Sequence, residues 1–94
     1  MTIRSFADKA TREFFLEGAC PAKWRAFEKI ALRKLDMIND AATLSFLASP
    51  VGNHLELLKG DRRGQHSIRI NRQYRVCFRW VENGAEDVEI VDYH

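Results

Sequence analysis

Nowhere does this chain hold the roughly 18 successive apolar residues that a membrane-crossing helix needs. Its first residues, Met1-Thr2-Ile3-Arg4-Ser5-Phe6-Ala7-Asp8-Lys9, lack the continuous apolar segment of a secretory signal, so a cytoplasmic protein with no membrane partner is expected. Cysteine is scarce as well. Cys20 and Cys77 stand in no CxxC or Cys/His spacing, which argues against a metal site and a disulfide and leaves both as small, space-filling thiols. Repeats, low-complexity tracts and linkers are missing too. Acid is almost absent from one stretch: from Lys59 to Arg79 lie Lys59, Arg62, Arg63, Arg69, Arg72, Arg75 and Arg79, opposed only by Asp61. The acids gather afterwards, at Glu82, Glu86, Asp87, Glu89 and Asp92, so a modest net charge of +2 hides an uneven distribution.

What is present suits one domain covering residues 1–94, because a hydrophobic fraction of 46% is enough for a single modest core. Trp24, Phe27, Ile30, Ala31, Leu35 and Ile38 recur at steps of three and four and predict a long helix, with Pro21 at its start. Gly18 ends a shorter helix containing Phe14, Phe15 and Leu16, so the two form a hairpin, preceded by a short strand around Thr2 to Ser5. Ala41 to Ala48 adds a helical turn or two before Ser49-Pro50, and Val51-Gly52-Asn53 is a turn into extended chain.

The period then changes to two. Ile68 and Ile70 alternate with Arg69 and Asn71; Tyr74, Val76, Phe78 and Trp80 alternate with Arg75, Cys77 and Arg79; Val88 and Ile90 alternate with Glu89 and Val91. Turns at Gly60-Asp61, at Asn71-Arg72-Gln73 and at Asn83-Gly84 separate the runs and predict an antiparallel meander of about four strands. The fold class is therefore α+β, an N-terminal helical hairpin packed on the apolar face of that sheet. Alternation sends Arg69, Arg75 and Arg79 to the opposite face, near Lys59. Cations there, flanked by Tyr74, Tyr93, His66 and His94, are the ingredients of an RNA site, since guanidinium forks suit phosphates and rings stack on bases. A solvated basic face and a frayed terminal histidine are the plainer alternatives. Asp92-Tyr93-His94 bears on the chemistry, because histidine exchanges protons near neutral pH and a neighbouring carboxylate or phenol can orient it.

Several stretches taken in order resemble one family. They are Leu58-Lys59-Gly60-Asp61-Arg62, Gly64-Gln65-His66-Ser67-Ile68-Arg69-Ile70-Asn71, Gln73-Tyr74-Arg75-Val76-Cys77-Phe78 and the closing Val91-Asp92-Tyr93-His94. With Leu32-Arg33-Lys34-Leu35-Asp36-Met37 and Pro50-Val51-Gly52-Asn53, they closely resemble the HigB-type killer proteins of the RelE-like toxins, over essentially the whole chain. That resemblance implies a RelE-like fold, cleavage of messenger RNA on the ribosome without metal or cofactor, and neutralisation by a HigA-type helix-turn-helix antitoxin. Operator DNA would be reached only indirectly, through that antitoxin.

By position the resemblance implies Lys59, Arg75, Asp92, Tyr93 and His94 as catalytic residues. Arg62, Arg63, Arg69, Asn71, Gln73 and Arg79 are expected to bind RNA. The chain departs from the family pattern in carrying Arg72 where an acidic or small residue is usual, and Tyr74 where tryptophan is frequent. Two other readings stay open: a module that binds RNA or DNA without cutting it, and an interaction protein that docks an acidic partner on its basic face.

Overall fold

The computed structural model describes residues 2–93. Helix α1 spans Lys9–Glu17; Asp8 caps it, accepting the Thr11 amide at 3.1 Å, and Gly18 ends it in the left-handed region at φ 75°. The second helical segment opens as a tight 3-10 stretch, Ala22–Phe27, and only then becomes helix α2, Glu28–Asp40. This corrects the expectation of one continuous helix starting at Pro21. Residues three apart eclipse in a 3-10 turn, so Trp24 and Phe27 both point inward. The change of pitch at Phe27 hands the apolar stripe to Ala31, Leu35 and Ile38 and leaves Ile30 exposed, contrary to its expected place in that stripe.

Short 3-10 turns at Leu44–Ala48 and Val51–Asn53 carry the chain to the sheet. Fully buried Asn53 ties this connection down: its amide donates to the carbonyls of Leu47 (3.1 Å) and Ser49 (3.3 Å), and its Oδ1 accepts from Lys34 Nζ at 2.5 Å.

The sheet is an antiparallel meander of β1 (Glu56–Leu57), β2 (His66–Arg69), β3 (Tyr74–Val81) and β4 (Gly84–Asp92), in the order β1-β2-β3-β4. At the β2–β3 turn Asn71 Oδ1 accepts the amides of Gln73 and Tyr74, both at 2.8 Å. Glu82 and Asn83, both at positive φ, close the β3–β4 hairpin in the primed geometry that fits strand twist. The expected strand near Thr2 to Ser5 is reduced to isolated parallel bridges, Ile3↔Ala85 and Phe6↔Val88. These bridges, with the Ile90 amide donating to Thr11 Oγ1, cover the free edge of β4.

Phe14, Trp24, Leu35 and Ile38 from the helices meet Ile68, Val76, Phe78 and Val88 from the sheet in one core. The Phe14 and Trp24 rings pack edge to face at 5.5 Å. The helices therefore cover one face of the sheet and leave the other to solvent and to the 59–65 loop.

Candidate active site

The inward side chains of β2 and β3 have even numbers, so Ser67, Arg69, Arg75, Cys77 and Arg79 share the open face, as alternation predicts. From β4 the register adds Val91 opposite Arg75 and Glu89 opposite Cys77. Beyond Cys77 the register slips, because Asp87, at φ 54°, is an extra residue that forms a bulge before Arg79 pairs with Glu86.

Arg75 is the centre of this face. Its side chain is only 12% exposed, and three neighbours fix its guanidinium. Nε donates to Ser67 Oγ at 2.7 Å, Nη2 donates to the His54 carbonyl at 2.6 Å, and Nη2 lies 3.2 Å from Glu56 Oε1. The Tyr93 ring lies 6.0 Å from the guanidinium carbon, at the limit of a cation–π contact. Among the described residues no hydrogen bond or ion pair takes Nη1, so its N–H groups are the donors this side chain has left to offer. An arginine held in this way reorganises little when charge develops beside it, which is the condition for electrostatic stabilisation of a transition state.

Next to it Arg62 reaches across the sheet from the 60–62 turn: Nη1 donates to Gln65 Oε1 at 3.1 Å and to Glu89 Oε1 at 3.0 Å. Burial alone would lower the Arg62 pKa, but the hydrogen bond and attraction to Glu89 outweigh it and hold the group higher still. Cys77 is fully buried, and burial pushes its thiol up to about 11, which leaves it protonated and unreactive. Arg79 Nε is 3.5 Å from Asp87 Oδ2. A Cβ on Gly64 would stand 3.0 Å from Arg79 Nη1, so the 60–64 loop lies directly over that guanidinium.

Lys59 and Arg63 stay exposed on the same loop, beside a shallow groove that they form with Leu57, Leu58, Gly60 and Gly64. Neither makes an ion pair among the described residues. Arg69 donates from Nε to the Asn71 carbonyl at 3.1 Å, so that arginine and Asn71 belong to the turn as well as to the face. Gln73 holds the end of β4: its carbonyl accepts the Tyr93 amide at 2.8 Å, and its side chain donates to Asp92 Oδ2 at 3.0 Å. His94 lies outside the described residues.

Two aromatic positions differ from expectation. Tyr74 packs on Phe27 at 4.7 Å between ring centres, and His66 stacks on Phe78 at 6.2 Å, so both face the helices rather than the open face. Alternation is the reason, since each has the same parity as Val76 and Phe78. Burial pushes the His66 pKa down, and its Nδ1 is buried with no hydrogen-bond partner among the described residues.

The structure also brings forward Glu56, Ser67 and Glu89, which the sequence reading did not single out. The Leu55-Glu56-Leu57 alternation carried a signal for Glu56, since it sets the carboxylate apart from its apolar neighbours.

A family model described as the RelE-like toxin of the type II toxin–antitoxin system HigB matches residues 4–94. Among curated proteins, Toxin HigB-1 of Vibrio cholerae is 42% identical over 60 residues, spanning 64% of this chain and 63% of its own length. The match to that relative thus covers less than two thirds of it. Endoribonuclease HigB of Proteus vulgaris is 28% identical over 98% of this chain and 99% of its own. Among solved structures, a YoeB–YefM complex from Staphylococcus aureus holds a chain that superposes with a TM-score of 0.61 at 18% identity, covering 100% of this chain and 99% of that one, which is a likeness of fold. With the family match running through both helices and the whole meander, the chain belongs to the HigB-like family of RelE-like toxins of type II toxin–antitoxin systems.

Proposed function

We propose that this chain is a metal-independent endoribonuclease that cuts messenger RNA on the translating ribosome in the cytoplasm, and that a HigA-type helix-turn-helix antitoxin neutralises it. The observation that carries this reading is the nearly buried Arg75, pinned by Ser67 and the His54 carbonyl with one edge of its guanidinium open. The printed name of the Proteus vulgaris relative supports the activity, and the toxin–antitoxin complex among the solved structures supports the antitoxin.

In the proposed reaction a 2'-hydroxyl attacks its own 3'-phosphate as its proton leaves, a P–O bond to the 2'-oxygen forms, and the bond to the departing 5'-oxygen breaks. The products are a 2',3'-cyclic phosphate and a 5'-hydroxyl. Arg75 and Lys59 stabilise the doubly charged phosphorane. Proton transfers fall to His94 and Tyr93 with Asp92, and Glu56 is a further carboxylate within reach of Arg75. Arg62, Arg63, Arg69, Asn71, Gln73 and Arg79 line the path of the strand. The ribosome supplies much of the positioning, so a small catalytic set suffices.

The test is single-turnover cleavage on programmed ribosomes, with transition metals chelated and magnesium retained. Wild type is expected to cut, and His94→Ala to cut about a hundred- to ten-thousand-fold more slowly while binding about as well. Wild-type protein that binds but never cuts would return the chain to the class of binding modules. Cleavage by His94→Ala at the wild-type rate removes the histidine from the mechanism.

A further inference from the structure

Three arginines on or beside the open face are held by carboxylates. Arg62 is paired with Glu89 at 3.0 Å, Arg75 with Glu56 at 3.2 Å and Arg79 with Asp87 at 3.5 Å. A carboxylate in the middle of a face that holds a polyanion works against binding, since phosphates meet it as a like charge. Glu89 occupies such a place, opposite Cys77, with its side chain about one quarter exposed. The Arg62–Glu89 pair is better protected from solvent than an ordinary surface salt bridge, so it competes with an incoming phosphate more strongly than one. Asp87 is presented to Arg79 by the bulge itself, at a backbone angle of φ 54°.

We infer that Glu89 and Asp87 are specificity residues that hold Arg62 and Arg79 against free single-stranded RNA. A phosphate must displace a carboxylate before it can use either guanidinium. Free RNA is then held weakly, by cations such as Lys59 and Arg63 that make no such pair among the described residues. Only RNA presented at high effective concentration, as on a ribosome, overcomes the competition. The ribosomal half of this inference rests on the function proposed above; the competition itself rests on the ion pairs alone.

The experiment measures binding of a short, unstructured single-stranded RNA to the full chain over a range of salt concentrations. It compares wild type with Glu89→Gln, Asp87→Asn and the double variant. Glu17→Gln, at the exposed end of α1 and outside these pairs, controls for net charge. Glutamine is close to isosteric with glutamate, and asparagine tolerates the positive φ of residue 87. Each single variant is expected to bind the RNA about three- to tenfold more tightly. The magnitude of the log–log salt slope should rise by about 0.7 for each arginine released. Glu17→Gln should change neither by a comparable amount.

Unchanged affinity and slope in Glu89→Gln and Asp87→Asn overturn the inference, as does equal tightening by Glu17→Gln. Should Glu89→Gln lose its fold on thermal unfolding, Asp87→Asn, at the half-exposed bulge of β4, carries the test alone. Wild-type cleavage on ribosomes is measured alongside. If wild type cuts and neither variant shifts RNA binding, the competition is wrong and the nuclease reading stands. If the variants tighten binding and wild type never cuts, the nuclease reading falls and the competition stands.

Discussion

Arg75 Nε donates to Ser67 Oγ at 2.7 Å, and the serine that accepts it is wholly buried. The bond joins β2 to β3 on the open face and fixes the plane of the guanidinium. A buried hydroxyl with one strong partner is an aiming device: its contribution is to direction rather than to charge.

Ser67→Ala keeps every charge and removes only this acceptor. It is expected to lower stability by about 1–2 kcal/mol, since the Nε–H loses its partner in a nearly buried place. Single-turnover cleavage on ribosomes should fall about tenfold, with a much smaller change in ribosome binding. Equal losses in rate and affinity would show that the serine only holds the fold, and an unchanged rate would remove it from the site.

Arg75→Lys tests geometry against charge. Lysine retains the cation but has no planar fork to meet Ser67, the His54 carbonyl and a phosphate together. Cleavage is expected to drop about a hundredfold. Lys59→Ala, which removes an exposed point charge, should cost less in rate and flatten the salt slope of RNA binding by about 0.7. A lysine at position 75 that cuts like wild type would mean that charge alone suffices there.

His66 makes stability depend on pH. Burial holds its pKa below the ordinary imidazole value of about 6.5, and among the described residues its buried Nδ1 has no hydrogen-bond partner to keep a proton on. Between the lowered folded value and the ordinary unfolded one, the unfolded chain binds a proton that the folded chain does not. Stability from this group is therefore complete above about pH 6.5 and is lost as the pH falls through the folded value. Thermal unfolding from about pH 7.5 down to about pH 5 should show a falling midpoint, and His66→Phe, which keeps the stacking on Phe78, should flatten the fall. The same fall in both proteins would place its cause in other groups.

The sequence by itself determined the layers and the faces. A period of three and four specified a helical layer, a period of two specified the meander, and parity alone sent Arg69, Arg75 and Arg79 to one side, because alternation is a local property of each strand. The same parity turned Tyr74 and His66 toward the helices, away from the open face to which their chemistry had assigned them. Only the tertiary structure decided which charges meet. The Arg62–Glu89 pair spans 27 positions, and Arg75 reaches the His54 carbonyl across 21. Both depend on how Asn53 anchors the connection into β1 and how the 59–65 loop folds back over the sheet. No periodicity encodes such pairs, because they are set by the path of the chain in space; in a stretch that reads as a run of bare cations, Arg62, Arg75 and Arg79 are, once folded, already matched to carboxylates.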